Sequence, residues 1–427
     1  MADGLGLYIL YLWTVYVVFL FIFIVIPAAL NVSLGVKRWY TRFLVKVIKY
    51  GRSSMESNNV ALIEKDVDDS SKSNQIPRNR SLATFTREFK LTDACDFLRG
   101  GTEAIIDDDV TKRFTAEELE NWNLLMRNNT SKSMGLKVTI IWAIGLFVRY
   151  VIFLPVRLTL AIIGVLFIAV TGSLIGLMPE NNFRKLLARK SMPIGFRILA
   201  RGLSAVINFH NRENKAKGGG TCVANHTSPI DAIMLACDGN YSLVGQSQGG
   251  LFGFMQKSLS KAQDHIWFER SEMKDRLVVA RRLREHVEDS EKDPILIFPE
   301  GTCINNTSVM MFKKGSFEIG GIIYPVAIKY DPLFSNAFWN SSQYSLVHYL
   351  LDIMSSWALV CDIWYLPPVQ RQEGETAIEL ANRVKADIAR QGGLVDLIWD
   401  GQLKRSKVKP ELRQQKQEDF AQMLKVQ

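Results

Sequence analysis

His226 and Asp231 are the residues from which chemistry can be built, in the run Asn225-His226-Thr227-Ser228-Pro229-Ile230-Asp231. An imidazole has the ordinary pKa best suited to proton abstraction near neutrality, and it works as a base when an acceptor holds its second ring nitrogen. Asp231 is the candidate acceptor. Residues five apart on one continuous helix point to different faces, so the turn Thr227-Ser228-Pro229 has to fold His226 back toward Asp231. Asp231 has a second reading. With Ser228 as N-cap and Pro229 at the first helical position, it falls on the carboxylate position of a capping box.

A second cluster lies seventy residues on. The apolar run Ile295 to Phe298 ends in Pro299-Glu300-Gly301-Thr302, which puts a carboxylate and a hydroxyl at a strand end where they can hydrogen-bond substrate hydroxyls. Lys313 and Lys314 follow as point charges for a phosphate, although two lysines alone read equally as a solvated turn. Arg270, just past the aromatic run His265-Ile266-Trp267-Phe268, is a third candidate anion ligand, because a guanidinium grips phosphate with two donors. No metal site is expected. The run Asp107-Asp108-Asp109 lacks the glycine spacing of a calcium loop, and Cys95, Cys222, Cys237, Cys303 and Cys361 contain no C-x-x-C pair and are odd in number.

The elements that must position these groups are legible in outline. After Lys190, short runs rich in β-branched or aromatic residues recur: Thr221 to Ala224, Tyr241 to Val244, His265 to Phe268, Ile295 to Phe298, Ile322 to Ile328 and Leu359 to Tyr365. Helical spacing appears between them and after them, at Ala280, Leu283 and Val287 and at Ala381, Val384 and Ile388. Alternation of this kind predicts an α/β domain with a mostly parallel sheet flanked by helices, preceded by membrane helices. The site residues fall at strand ends, where such sheets build their sites.

The front of the chain is of another kind. From Leu5 to Leu30 no residue carries a charge, which is longer than a bilayer core requires and too long for a signal peptide. Lys37, Arg38, Arg42, Lys46, Lys49 and Arg52 follow with no acidic residue before Glu56, and this flank is placed in the cytosol by the positive-inside rule. A second apolar block, Val138 to Met178, contains Arg149, Pro155 and Arg157. The cost of an arginine at mid-bilayer predicts a hairpin or re-entrant pair bent near Pro155, with both arginines reaching toward head groups. The organisation expected is an anchor with basic flank over 1–53, a linker and small helical segment over 54–136, the membrane hairpin over 137–180, the catalytic α/β domain over 181–403 and a polar tail over 404–427. Asp66 to Ser81 reads as a flexible linker, and Thr115 with Glu118 has capping-box spacing before the stripe Leu119, Trp122, Leu125.

The formal charge of +9 suits work beside a lipid bilayer or on anionic substrates. Nucleic acid is not expected, since no zinc-finger, basic-zipper or ribonucleoprotein signature accompanies the charge. A serine hydrolase is disfavoured by the lack of a G-x-S-x-G elbow, and a membrane scaffold without chemistry by the intact His226, Asp231 and Glu300.

N-H-x-x-x-x-D, an arginine after an aromatic strand, F-P-E-G-T and a later strand bearing Pro325, in that order over residues 221 to 328, resemble the four blocks of the glycerolipid acyltransferase family. The chain also resembles the endoplasmic-reticulum glycerol-3-phosphate acyltransferases at Ala224 to Asp231, Trp267 to Glu272, Phe298 to Gly320, Arg390 to Asp396 and Asp107 to Trp122. That resemblance implies an enzyme in which His226 deprotonates the sn-1 hydroxyl of glycerol 3-phosphate for attack on an acyl-CoA thioester, while Asp231 stabilises the imidazolium. It implies Arg270, Glu300 and Gly301 as ligands of the glycerol phosphate, with no cofactor beyond acyl-CoA as co-substrate and no covalent intermediate. It places the enzyme in the endoplasmic-reticulum membrane, with its catalytic domain in the cytosol. Acylation of lysophosphatidate to phosphatidate is the alternative that the four blocks serve equally.

Overall fold

Nine runs of residues become strands in the computed structural model, which describes residues 2–32, 35–72, 112–115, 136–247, 249–269 and 276–401. They are β1 (Ala205–His210), β2 (Thr221–Ala224), β3 (Ser242–Gln246), β4 (Ile266–Phe268), β5 (Ile295–Ile297), β6 (Ser308–Val309), β7 (Ile323–Tyr330), β8 (Leu359–Tyr365) and β9 (Val395–Asp396). Seven form one sheet in the order β1-β8-β7-β2-β5-β3-β4, and β6 with β9 forms a small separate pair. Every pairing in the large sheet is parallel except β7 with β8. The centre of the sheet is covered on both faces: all four residues of β2 are buried, the polar Thr221 among them. The pleat sorts its side chains. Cys222 and Ala224 of β2 pack on one side with Val326 and Ile328 of β7, while Val223 packs on the other with Ile323 and Ala327.

The helices are α1 (Ala2–Leu20), α2 (Ile26–Ala29), α3 (Val36–Lys72), α4 (Leu136–Phe147), α5 (Leu154–Gly176), α6 (Asn182–Gly202), α7 (Ile230–Ala236), α8 (Gly250–Ala262), α9 (Arg276–Val287), α10 (Leu346–Ser355) and α11 (Ala377–Gly392). Residues of α5, α6, α7, α8 and α10 cover one face of the sheet, and α11 covers the other beside β7. Helix α11 starts on a complete capping box, Thr376 with Glu379, and stops at Gly393 in a left-handed conformation.

The second apolar block departs from expectation. Residues Leu136 to Gly176 form one continuous run of helix, with a π-helical stretch at Val148–Phe153, rather than a hairpin bent at Pro155. Pro155 sits directly after the π-helical stretch, inside the continuous helix, where its missing N–H leaves a carbonyl of the preceding turn without a helical donor. Arg149 and Arg157 do not reach outward either. Both are buried, and they donate to the carbonyls of Met354, Ser355, Ser356 and Trp357 at the end of α10, which a helix leaves without intrahelical donors. The arginines thus fasten the apolar block to the domain behind it. Glycines allow the close fit: a Cβ on Gly164 would come within 2.8 Å of the Leu199 backbone in α6, and one on Gly172 within 2.5 Å of the Ser258 carbonyl in α8.

The segment expected as a linker begins in helix, since α3 extends to Lys72. Residues 73–81, Cys95, Asp107 to Asp109, Glu118 with the Leu119, Trp122, Leu125 stripe, and the tail from Lys404 lie outside the described residues.

Candidate active site

β2 delivers the site. Beyond Ala224 the chain leaves the sheet, and the Asn225 side chain continues the ladder in its place: its amide donates to the Ile328 carbonyl at 2.9 Å and its oxygen accepts the Ile328 N–H at 2.8 Å. Held so, the next residues turn sharply before α7. The turn brings His226 back to Asp231 as the spacing requires, with Nδ1 of His226 2.9 Å from Oδ2 of Asp231. The same oxygen accepts the backbone N–H groups of Thr227 at 2.7 Å and Ser228 at 2.9 Å. The other oxygen accepts the Tyr330 hydroxyl at 2.6 Å from the end of β7. Asp231 therefore carries both readings of the sequence at once. Its carboxylate makes the backward half of a capping box and also holds the histidine, whereas the buried Ser228 hydroxyl completes no box.

Fully buried and multiply hydrogen-bonded, the Asp231 carboxylate fixes the imidazole with Nδ1 as donor, leaving Nε2 to receive a proton. Phe298 stacks on the ring with centroids 4.2 Å apart. Cys303 Sγ lies 3.5 Å from Nε2. Burial disfavours the imidazolium, but the Cys303 sulfur and the Asp231 carboxylate outweigh it and push His226 up to about 10.

Glu300 is buried beneath this loop. One of its oxygens accepts the His226 N–H at 2.8 Å and the other the Met310 N–H at 2.9 Å, so the carboxylate ties the histidine loop to the segment after β6. Burial pushes Glu300 up to about 8, while the two backbone donors pull the other way. Gly301 has φ of 68°, a left-handed conformation that favours glycine, and a Cβ there would come within 2.8 Å of Lys313 Nζ. Lys313 thus lies beside Gly301, next to the loop that carries His226. Lys314 instead pairs with Glu318 at 2.9 Å on the exposed surface. Thr302 packs near Gly401, where an added Cβ would meet its methyl group. Arg270 lies outside the described residues.

His226, Asp231, Glu300, Gly301 and Lys313 are therefore brought into one neighbourhood. Tyr330, Phe298 and Cys303 join them without having been singled out for a role by sequence. Tyr330 could have been found: it follows Val326 and Ile328 at the two-residue period that faces Asp231. The contact between Cys303 and His226 has no local sequence signal, since 77 residues separate them.

This arrangement can remove a proton from a hydroxyl brought to Nε2 and stabilise the resulting imidazolium. A family model described as Acyltransferase matches residues 206–329, the segment that contains all of these groups except Tyr330, which directly follows it. Glycerol-3-phosphate acyltransferase 4 of Mus musculus is 50% identical, over 96% of this chain and 94% of that protein. Glycerol-3-phosphate acyltransferase 3 of Gallus gallus is also 50% identical, over 99% and 96%. Among solved structures, the 1-acyl-sn-glycerophosphate (LPA) acyltransferase PlsC from Thermotoga maritima aligns with a TM-score of 0.42 at 17% identity, covering 61% of this chain and 100% of that one. At half identity over nearly the full length of both partners, the chain belongs to the glycerol-3-phosphate acyltransferase family.

Proposed function

We propose that this protein transfers a fatty acyl group from acyl-CoA to the sn-1 hydroxyl of glycerol 3-phosphate, releasing lysophosphatidate and coenzyme A. The observation that carries the chemistry is the His226–Asp231 pair at 2.9 Å, which makes Nε2, beside Cys303, the proton-accepting atom of the neutral ring. His226 takes the hydroxyl proton as the oxygen attacks the thioester carbonyl, and Asp231 stabilises the imidazolium that forms. Collapse of the tetrahedral intermediate expels the coenzyme A thiolate, which leaves readily because thiols ionise near about 8.5. Lys313 is positioned to receive phosphate beside Gly301, and Arg270 is assigned to the same anion. Glu300 acts chiefly by holding the loop, since both of its oxygens are taken by backbone donors. Neither a metal nor any cofactor besides acyl-CoA has a part in this scheme.

Cys303 raises a second reading, a relay in which its thiolate first takes the acyl group. A thioester on Cys303 would be no more electrophilic than the one on coenzyme A, so the relay gains nothing over direct attack. Cys303→Ala should retain transfer; its abolition in a folded protein would favour the relay.

The work place proposed is the endoplasmic-reticulum membrane, with the domain from residue 181 on the cytosolic side, where both soluble substrates are made. The acceptor is tested by competition. Purified protein given acyl-CoA with equal glycerol 3-phosphate and lysophosphatidate should acylate the former faster; the reverse preference would move the enzyme to the second acylation while leaving the acyl-transfer chemistry intact.

A further inference from the structure

Two cavities meet along the free edge of the sheet, away from His226. The first, about 540 Å³, lies between the end of α2, the start of α3, α6 and β1, and Lys37, Arg38, Arg197, Arg201 and Arg212 line it. The second, about 520 Å³, runs along α3 and shares Arg38, Val206 and Asn208 with the first. Its other walls include Val45, Phe334 and Val360, with Arg42 and Lys46 alongside. Helix α7 separates the first cavity from the active site: Cys237, just past its C-terminus, touches the cavity, whereas His226 precedes its N-terminus.

The charges are unbalanced. No Asp or Glu lines either cavity among the described residues. Arg212 has a counterion in Asp238 at 2.9 Å, but Arg197 and Arg201 donate to the backbone carbonyls of Cys237 and Val32 instead. Burial, with the Arg201 charge beside it, lowers the Lys37 amine to about 8. Arg212 pairs with Asp238, and His210 with Asp362 at 2.8 Å, but Arg201 and Lys37 stand close together in partly buried space with no ion-pair partner among the described residues; they repel one another, and an entering anion relieves that repulsion. A free phosphate would satisfy the basic chamber and leave the apolar one unused. An anionic lipid fills both, and the location suits it: the chamber adjoins the end of the uncharged helix, at Ala28, where a bilayer's head groups would lie.

We propose that the joined cavities bind one anionic glycerophospholipid, with its phosphate among Lys37, Arg38 and Arg201 and one acyl chain along Val45, Phe334 and Val360. The bound lipid bridges α3, α6 and β1 and so holds the N-terminal helices against the catalytic domain. Its binding is independent of turnover, and therefore of which acceptor the active site prefers.

Native mass spectrometry of the detergent-purified full chain tests this, with phosphatidate and phosphatidylcholine of matched acyl chains as probes. The double variant Lys37→Gln, Arg201→Gln should lose phosphatidate adducts by about thirtyfold, the effect of two basic contacts at a lipid surface, with phosphatidylcholine adducts unchanged. Val45→Glu, which alters only the apolar chamber, should also weaken phosphatidate binding. Excess inorganic phosphate should not displace the lipid; displacement would assign the chamber to free phosphate and overturn the lipid. Equal phosphatidate binding by wild type and both variants would overturn the site altogether.

Discussion

At the scale of the residue, the pair His226 and Asp231 divides its labour in a way that mutation can separate. Replacing Asp231 with Asn keeps a carbonyl oxygen for the Thr227 and Ser228 N–H groups, and its NH2 can donate to the Tyr330 hydroxyl, which is able to reverse its role. The turn survives, but the negative charge that stabilises the imidazolium does not. Asp231→Asn should therefore give folded protein whose kcat is lower by about 10²–10⁴-fold; near-normal turnover in a radiolabelled acyl-CoA assay would reduce Asp231 to a helix cap. The pH profile reports the same site. His226 is pushed up to about 10 in the unliganded protein, so the basic form grows as pH rises, and kcat/KM for the acceptor should climb through neutrality. Cys303 is among the groups that raise His226, and Cys303→Ala removes its share while burial still pulls down. The acidic limb should move to lower pH in that variant. An unmoved limb would mean that the sulfur does not influence the base.

At the scale of the element, the site depends on side chains that imitate backbone or pin it. Asn225 extends the ladder of β7, Asn306 repeats the device with both backbone groups of Tyr330, and Glu300 clamps two loops. Glu300→Gln leaves one accepting oxygen and turns an NH2 toward a backbone N–H, so one buried donor loses its partner. The expected cost is about 1–3 kcal/mol of stability, together with reduced kcat as the His226 loop loosens; unchanged thermal unfolding and turnover would show the clamp to be dispensable. These devices mark the limit of what was readable. The strands at β2, β5, β7 and β8 announce themselves by β-branched and aromatic runs, and the His226 turn by its proline and spacing. Glu300, by contrast, looks in sequence like a ligand at an open strand end, because nothing local reveals that its two oxygens accept the backbone N–H groups of Met310 and His226. Arg149 and Arg157 looked like charges bound for head groups, since the carbonyls that receive them stand some two hundred residues later. β1 and α6 went unread because Arg, Lys and Asn interrupt their apolar pattern, and their partners come from β8 and α5.

At the scale of the whole molecule, the decisive element is α5, which apart from Arg157 carries no charge yet is only half enclosed. One side carries Leu160, Ala161, Gly164, Ile168, Gly172 and Ile175, buried against the catalytic domain. The other carries Leu158, Ile162, Leu166, Val170 and Leu174, four residues apart, and their exposure runs from 42% to 60%. A soluble surface helix would present polar groups there; a continuous apolar stripe requires a medium other than water. The whole helical run from Leu136 to Gly176 is 41 residues, about 60 Å, twice a bilayer's hydrocarbon thickness. With α6 and α8 packed along one side, lipid can reach only the other, and we predict that α5 lies along the membrane surface with its stripe down. That posture sets the sheet one helix layer above the lipid. A spin label at Leu166→Cys in proteoliposomes should then collide with oxygen, which concentrates in lipid, and be shielded from a water-soluble nickel chelate. A label at Ser258→Cys, on α8 against the opposite side of α5, should be shielded from both. If the Leu166 position were freely quenched by the chelate, the stripe would face water, and membrane attachment would fall to the helix before Ala29 alone.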